Sequence, residues 1–219
     1  MKNIYKLLTS SILFFFVFTS SLYAESSYIK VNYGIAEHND TGVTISNSNG
    51  SMSSDNDDSG IIVSAGTLIG NNWGVDLMYY DMGSQSITID NTNDIISYND
   101  NQYQATDGSG TITRDISGYG LGLIGAGDTS NDFLGVTFYL KAGIHAWDKS
   151  GSTTILDNDT GFSDSYFNEG IGAYAGTGLS LNLFQGLALD VSYDYIGLSN
   201  DVSFNEASTL LGAGLRFQF

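Results

Sequence analysis

The chain has 219 residues, enough for one domain with a substantial core, and it contains neither cysteine nor proline. Without cysteine it can carry no disulfide, thiolate metal site, cysteine nucleophile or lipoprotein anchor. Seven Lys and Arg against 24 Asp and Glu give a net charge of −17, which excludes nucleic acid as a partner because phosphate binding needs basic patches. Charged residues make up only 14% of the chain while 42% is hydrophobic, too much for an acidic disordered polypeptide.

Residues 1–24 read as a secretory signal peptide. Lys2 and Lys6 form its basic start, Leu7 to Phe18 an apolar run too short to span a bilayer, and Ser20 to Ala24 a cleavage region. Their removal leaves five basic and 24 acidic residues, a charge of −19 (5 − 24). The remainder, 25–219, is expected to form one exported domain.

Beyond residue 24 no stretch keeps a helical apolar period, whereas alternation at period two recurs. Eight strands are predicted, at 28–36, 60–70, 73–82, 116–126, 133–147, 168–182, 187–196 and 207–219. Most have the length a tilted strand needs to cross a bilayer. The connections alternate: long at 37–59, 83–115, 148–167 and 197–206, and tight after the second, fourth and sixth strands. Segments 84–90 and 111–114 are expected to prolong their strands as a hairpin. A meander with this rhythm puts every long loop at one end and both termini at the other, the layout of an eight-stranded antiparallel up-and-down transmembrane β-barrel, an all-β fold.

Sorting each strand by parity separates an apolar face from one rich in glycine and charge. Ile29, Val31, Tyr33 and Ile35 oppose Lys30, Asn32 and Gly34, and Leu187, Leu189 and Val191 oppose Ala188, Asp190 and Ser192. The second face is too small and too charged for a core, so the apolar face is assigned to lipid. Lys30, Asp76, Lys141, Asp190, Asp194 and Arg216 then form a lumen charge network. Tyr80, Tyr139, Tyr174 and Trp147 point inward with them, while Gly118, Gly120, Gly122, Gly170, Gly172, Gly176 and Gly178 are expected to leave room for water. Tyr28, Trp73, Trp147, Tyr193 and Tyr195 are assigned to interfacial aromatic girdles, with Tyr79, Phe133, Phe184 and Phe219.

Three motifs fall to simpler readings. Gly120 to Gly125 matches a dinucleotide pattern, but no helix follows and the glycines continue at period two. Asp55 to Gly60 starts like a calcium loop but lacks its closing Glu, where Gly66 stands. His38 and His145 are the only histidines, and no G-x-S-x-G or HExxH motif accompanies them. No cofactor, metal or catalytic residue is assigned. The four long connections hold sixteen acids against only Arg114 and Lys149, a composition suited to weak divalent-ion contacts beside lipopolysaccharide.

The stretches 73–83 (WGVDLMYYDMG), 138–148 (FYLKAGIHAWD), 176–197 (GTGLSLNLFQGLALDVSYDYIG) and 211–219 (LGAGLRFQF) resemble the OmpA-like transmembrane domain, within the outer-membrane barrel group that includes OmpX and the opacity proteins. The resemblance implies a Gram-negative outer-membrane protein with extracellular long loops and periplasmic termini. Leu211, Ala213, Leu215, Phe217 and Phe219 look like the family's signal to the outer-membrane assembly machinery. A lumen gate found in several members pairs a carboxylate, matching Asp76, with an arginine, where this chain has Asp190. The peptidoglycan-binding domain of full-length relatives is not expected here. The expected function is that of a monomeric, non-enzymatic envelope protein amid outer-membrane lipids and lipopolysaccharide, its acidic loops serving adhesion or contact with a host or surface ligand. The alternatives are a small porin-like solute channel and a lipid-modifying enzyme.

Overall fold

The computed structural model describes residues 26–39, 43–46, 51–69, 72–92, 95–98, 101–104, 108–128, 135–157, 160–198 and 206–219. The expected signal peptide and Phe133 lie outside them. Twelve strands follow in chain order: β1 (Ser26–His38), β2 (Val43–Ser46), β3 (Ser51–Asp55), β4 (Asp57–Ile69), β5 (Trp73–Thr92), β6 (Ile95–Tyr98), β7 (Asn101–Gln104), β8 (Gly108–Asp128), β9 (Val136–Asp157), β10 (Thr160–Phe184), β11 (Leu187–Gly197) and β12 (Ala207–Gln218). Eight of these, β1, β4, β5, β8, β9, β10, β11 and β12, pair antiparallel with their neighbours and close when β12 meets β1. The fold is an all-β, closed, eight-stranded antiparallel barrel. Strand β3 lengthens the wall beside β5, and β2, β6 and β7 form a separate three-stranded sheet.

The registers fix the barrel's width. From Tyr28 the Cα partners run through Gly66, Asp76, Gly122, Gly143, Tyr174, Ile196 and Ser208 and return to β1 at His38, ten residues above the start (38 − 28). That stagger tilts the strands, and eight tilted strands enclose a space that side chains can fill. Between β10 and β11 the chain reverses at Gly186, whose φ of 79° lies in the left-handed region where glycine pays no steric penalty.

Most strands outrun their predicted limits at the loop end. Residues 84–90 and 111–114 do pair as an extension, joined by β3. The 148–167 segment, expected as a loop, is mostly ladder: β9 runs to Asp157 and β10 starts at Thr160. Cross-strand pairs explain it, since Thr111, Ile112 and Thr113 face Thr154, Thr153 and Ser152, small or β-branched residues suited to a pleated wall. Strand β5 carries a bulge between Asp81 and Ser84. There Gly83 has φ 69° and donates its N–H to Asp81 at 3.0 Å.

The outer wall carries a belt of exposed apolar side chains. It includes Ile29, Val31, Tyr33 and Ile35 on β1, Tyr119, Leu121 and Leu123 on β8, Phe138, Leu140 and Ile144 on β9, Leu211, Leu215 and Phe217 on β12, and Phe219 just after it. Inside the same zone lie Lys30, Asp76, Lys141, Asp190, Asp194 and Arg216, all buried.

Candidate functional site: the barrel interior and its mouth

Side chains cross the interior at successive heights. At the turn end, Tyr28 Oη donates to Asp76 Oδ2 at 2.5 Å, and the Arg216 guanidinium lies 4.5 Å from the Tyr28 ring centre. Above them Asp190 gathers the densest set of partners. Oδ1 accepts from Tyr139 Oη at 2.8 Å and Asn32 Nδ2 at 2.7 Å, and Oδ2 accepts from Ser180 Oγ at 2.6 Å. Lys30 Nζ donates to Tyr139 Oη at 2.6 Å and lies 3.5 Å from Asp190 Oδ1. Lys141 Nζ is 2.7 Å from Asp194 Oδ1, an ion pair whose angles are not those of a hydrogen bond. Ser192 links the two acids, accepting from Asn32 Nδ2 and donating to Asp194 Oδ2. Two cation–carboxylate pairs, Lys30–Asp190 and Lys141–Asp194, thus sit within a wall of glycine and serine, where a low-dielectric interior favours opposite neighbours, while Arg216 and Asp76 both lie against Tyr28.

Next comes an apolar layer of Ile62, Met78, Met82, Ile116, Trp147, Tyr174, Ile196 and Leu210. His145 sits at its edge. Its Nε2 donates to the Gly197 carbonyl at 2.8 Å, so Nδ1 is the acceptor for Tyr80 Oη at 2.7 Å. The glycine stripe serves this layer. A Cβ on Gly118 would collide with Tyr80 and one on Gly122 with Tyr174, so large aromatics occupy the space expected to hold water.

Beyond the belt, at the mouth, a second set of contacts appears. Arg114 Nη1 and Lys149 Nζ both donate to Glu206 Oε1, at 2.9 and 2.8 Å. His38 Nδ1 lies 2.7 Å from Ser208 Oγ, both buried. Burial, followed by the nearby Arg114 charge, lowers the His38 pKa to about 4, leaving it neutral. Asp58 accepts backbone N–H bonds from Ser84 and Ser59, each at 2.6 Å, and these hold its carboxyl below the ordinary range. Among the described residues no group of three or more His, Cys, Asp or Glu could hold a metal ion.

The six predicted lumen charges all point inward, and Leu211, Ala213, Leu215, Phe217 and Phe219 all point outward. Trp73 and Tyr193 are exposed on the outer wall and Tyr195 is half-buried. Two girdle assignments are corrected. Tyr28 and Trp147, 1% and 3% exposed, face the interior, because each shares strand parity with the lumen charges. Sequence reasoning missed the Glu206 contact and the His38–Ser208 pair. Arg114 and Lys149 stood out as the only loop cations, but a partner reached across the barrel leaves no local trace.

The described residues thus define an eight-stranded barrel with charged groups buried inside and apolar groups outside. No protein-family model and no curated protein matches the sequence. The chain is similar in structure to eight-stranded outer-membrane barrels. One is Ail, the attachment invasion locus protein of Yersinia pestis, with 15% identity and TM-score 0.46 over 89% of this chain and 98% of that one. OprG of Pseudomonas aeruginosa gives 12% identity and TM-score 0.49 over 90% and 96%. Neisserial surface protein A gives 19% and 0.39 over 88% and 97%.

Proposed function

We infer that this chain is a bacterial outer-membrane protein whose barrel spans the bilayer, supports the envelope and carries acidic extracellular loops for adhesion or surface contact. The observation that supports the reading is the reversed polarity of the wall: a soluble barrel hides its apolar face, whereas here Ile29 to Ile35 and their neighbours turn outward over buried Lys and Asp. In this reading residues 1–24 direct export and are removed, the termini are periplasmic, and the chain acts as a monomer. Leu211 to Phe219 then present the terminal strand to the assembly machinery, with outer-membrane lipids and lipopolysaccharide surrounding the wall.

The crossing contacts weigh against the solute-channel alternative, because the paired charges and the apolar layer fill the bore. Against the enzyme alternative, both histidines are buried, His145 is held by Tyr80 and Gly197, and the His38–Ser208 pair lies inside the barrel, away from the apolar outer wall.

The test is refolding of residues 25–219 into lipid vesicles. Folded protein should float with the vesicles and run on a gel at a mobility that boiling changes. Full recovery as a soluble, heat-insensitive species would overturn the membrane assignment, and a large stable conductance in planar bilayers would overturn the filled bore.

A further inference from the structure

The chain beyond residue 24 has five Lys and Arg residues, and three of them, Lys30, Lys141 and Arg216, are buried inside the belt. The other two, Arg114 on β8 and Lys149 on β9, occupy the mouth, 2% and 3% exposed. Both have an acid beside them in sequence, Asp115 and Asp148, yet both side chains turn to one oxygen of Glu206. Glu206 belongs to the opposite wall, in the connection from β11 to β12, where its carbonyl accepts the Leu198 N–H at 2.8 Å. Two cations therefore share one carboxylate oxygen, and Arg114 Nε is buried with no hydrogen-bond partner. Within the cluster one carboxylate oxygen faces two cations and one Arg114 donor is unused, in a protein of net charge −17.

We propose that Arg114 and Lys149 form an oxyanion seat at the barrel mouth, which the Glu206 carboxylate occupies internally and which a sulfate- or phosphate-bearing ligand takes when Glu206 swings away. A tetrahedral oxyanion can offer separate oxygens to the Lys149 ammonium and the Arg114 guanidinium, whose fork matches such groups. Vacating the seat outright would strand two buried charges, so the departure of Glu206 and the arrival of another anion are coupled. The seat faces the barrel axis, so headgroups packed around the outer wall cannot reach it and the ligand comes from the aqueous side. Exchange would also cut the tie between Glu206 and the β8–β9 wall. None of this depends on which membrane, if any, surrounds the barrel.

The chain contains only two arginines, Arg114 and Arg216, so its arginine Nε–Hε spectrum has two signals and an internal control. The refolded protein in detergent is titrated with sodium sulfate, with sodium chloride at matched ionic strength as reference. Sulfate should shift the Arg114 signal saturably and leave Arg216 in place. Glu206→Gln should lower the half-saturating sulfate concentration by about tenfold or more, equivalent to about 1.4 kcal/mol per tenfold. Lys149→Gln should abolish saturation. The gel-mobility change on boiling verifies that each variant is folded. If Glu206→Gln fails to fold, Glu206→Asp, which keeps the charge on a shorter arm, should give an intermediate shift in half-saturation. An equal response to chloride, a matching shift of Arg216, or no saturable response once Glu206 is weakened would overturn the seat.

Discussion

The belt and the ladder that rises beyond it are one continuous wall built on opposite rules. Within the belt, Leu121 and Leu123 on β8 face out and the interior holds Lys30, Asp76 and Asp190. Beyond it, on the same strand and on β5, Ile112, Ile87 and Ile89 are buried inside while Thr111 and Ser84 face out. The backbone is alike in both regions, and the proposed membrane setting accounts for the change: the outer face would meet an apolar medium below and water above. In that reading the reversal marks where the apolar surroundings end, between the levels of Tyr119 and Asp115.

The largest effect should come from breaking the polar interior of the belt. Asp190→Ala removes the anion facing Lys30 and the acceptor of Tyr139, Asn32 and Ser180, and should cost about 3–5 kcal/mol, as for other buried pairs that lose one partner. Urea-dependent unfolding from lipid vesicles measures it. A loss below about 1 kcal/mol would mean that the lysine finds other compensation. The outer wall comes next. Leu121→Arg should cost about 2–4 kcal/mol if this position sits near the bilayer centre. Thr111→Arg, ten residues away on the same strand and also outward, should stay within about 0.5 kcal/mol. Equal effects at the two sites would erase the boundary.

This contrast explains what the sequence made legible. Parity placed Lys30, Asp76, Lys141, Asp190, Asp194 and Arg216 on one face because a regular strand cannot shift a residue to its other face without an irregularity. The extension breaks that rule. Along β5 the outward set Val75, Leu77 and Tyr79 is odd-numbered, and continued parity would send Ile87 and Ile89 outward as well. The bulge between Asp81 and Ser84 inserts a residue and turns them inward. Pairings across the bore were not legible either, because Glu206 meets Arg114 ninety-two positions away through the closure of the whole ring.

Acid should loosen the mouth before the belt. In the folded protein His38 has its pKa lowered to about 4 from an ordinary 6.5, so the unfolded chain binds the proton first as pH falls. The stability linked to neutral His38 is complete above about pH 6.5 and declines as pH drops toward 4. At about 1.4 kcal/mol per pKa unit it amounts to no more than about 3.5 kcal/mol. Asp58, held below the ordinary carboxylate range, acts in the same direction but at lower pH, as it becomes protonated. Hydrogen exchange at pH 7, 5 and 4 should show the amides around His38 and Ser208 opening while those around Asp190 stay protected. His38→Gln should flatten the change between pH 7 and 5, and an unaltered profile would assign the acid response elsewhere.

The smallest expected effect falls on the bulge that makes the reversal possible. Gly83 holds φ 69°, where a side chain costs about 1–2 kcal/mol, and an added Cβ would lie 2.6 Å from Asp58 Oδ2 and 2.7 Å from the Ser59 carbonyl oxygen. Asp58 is half-buried and its carboxylate can turn aside only by giving up the Ser84 and Ser59 N–H bonds, and the Ser59 carbonyl belongs to the wall and cannot move. Gly83→Ala should therefore lower stability by about 1–2 kcal/mol, with the loss confined to residues 84–92 and their partners on β3 and β8. If the strand instead relieves the strain by losing the bulge, Ile87 and Ile89 turn out into water, and the variant should bind a hydrophobic dye that the parent does not. Hydrogen exchange separates these outcomes from a third: uniform loosening of the barrel, belt included, would show that the two regions fold as one unit and that the bulge does not insulate them.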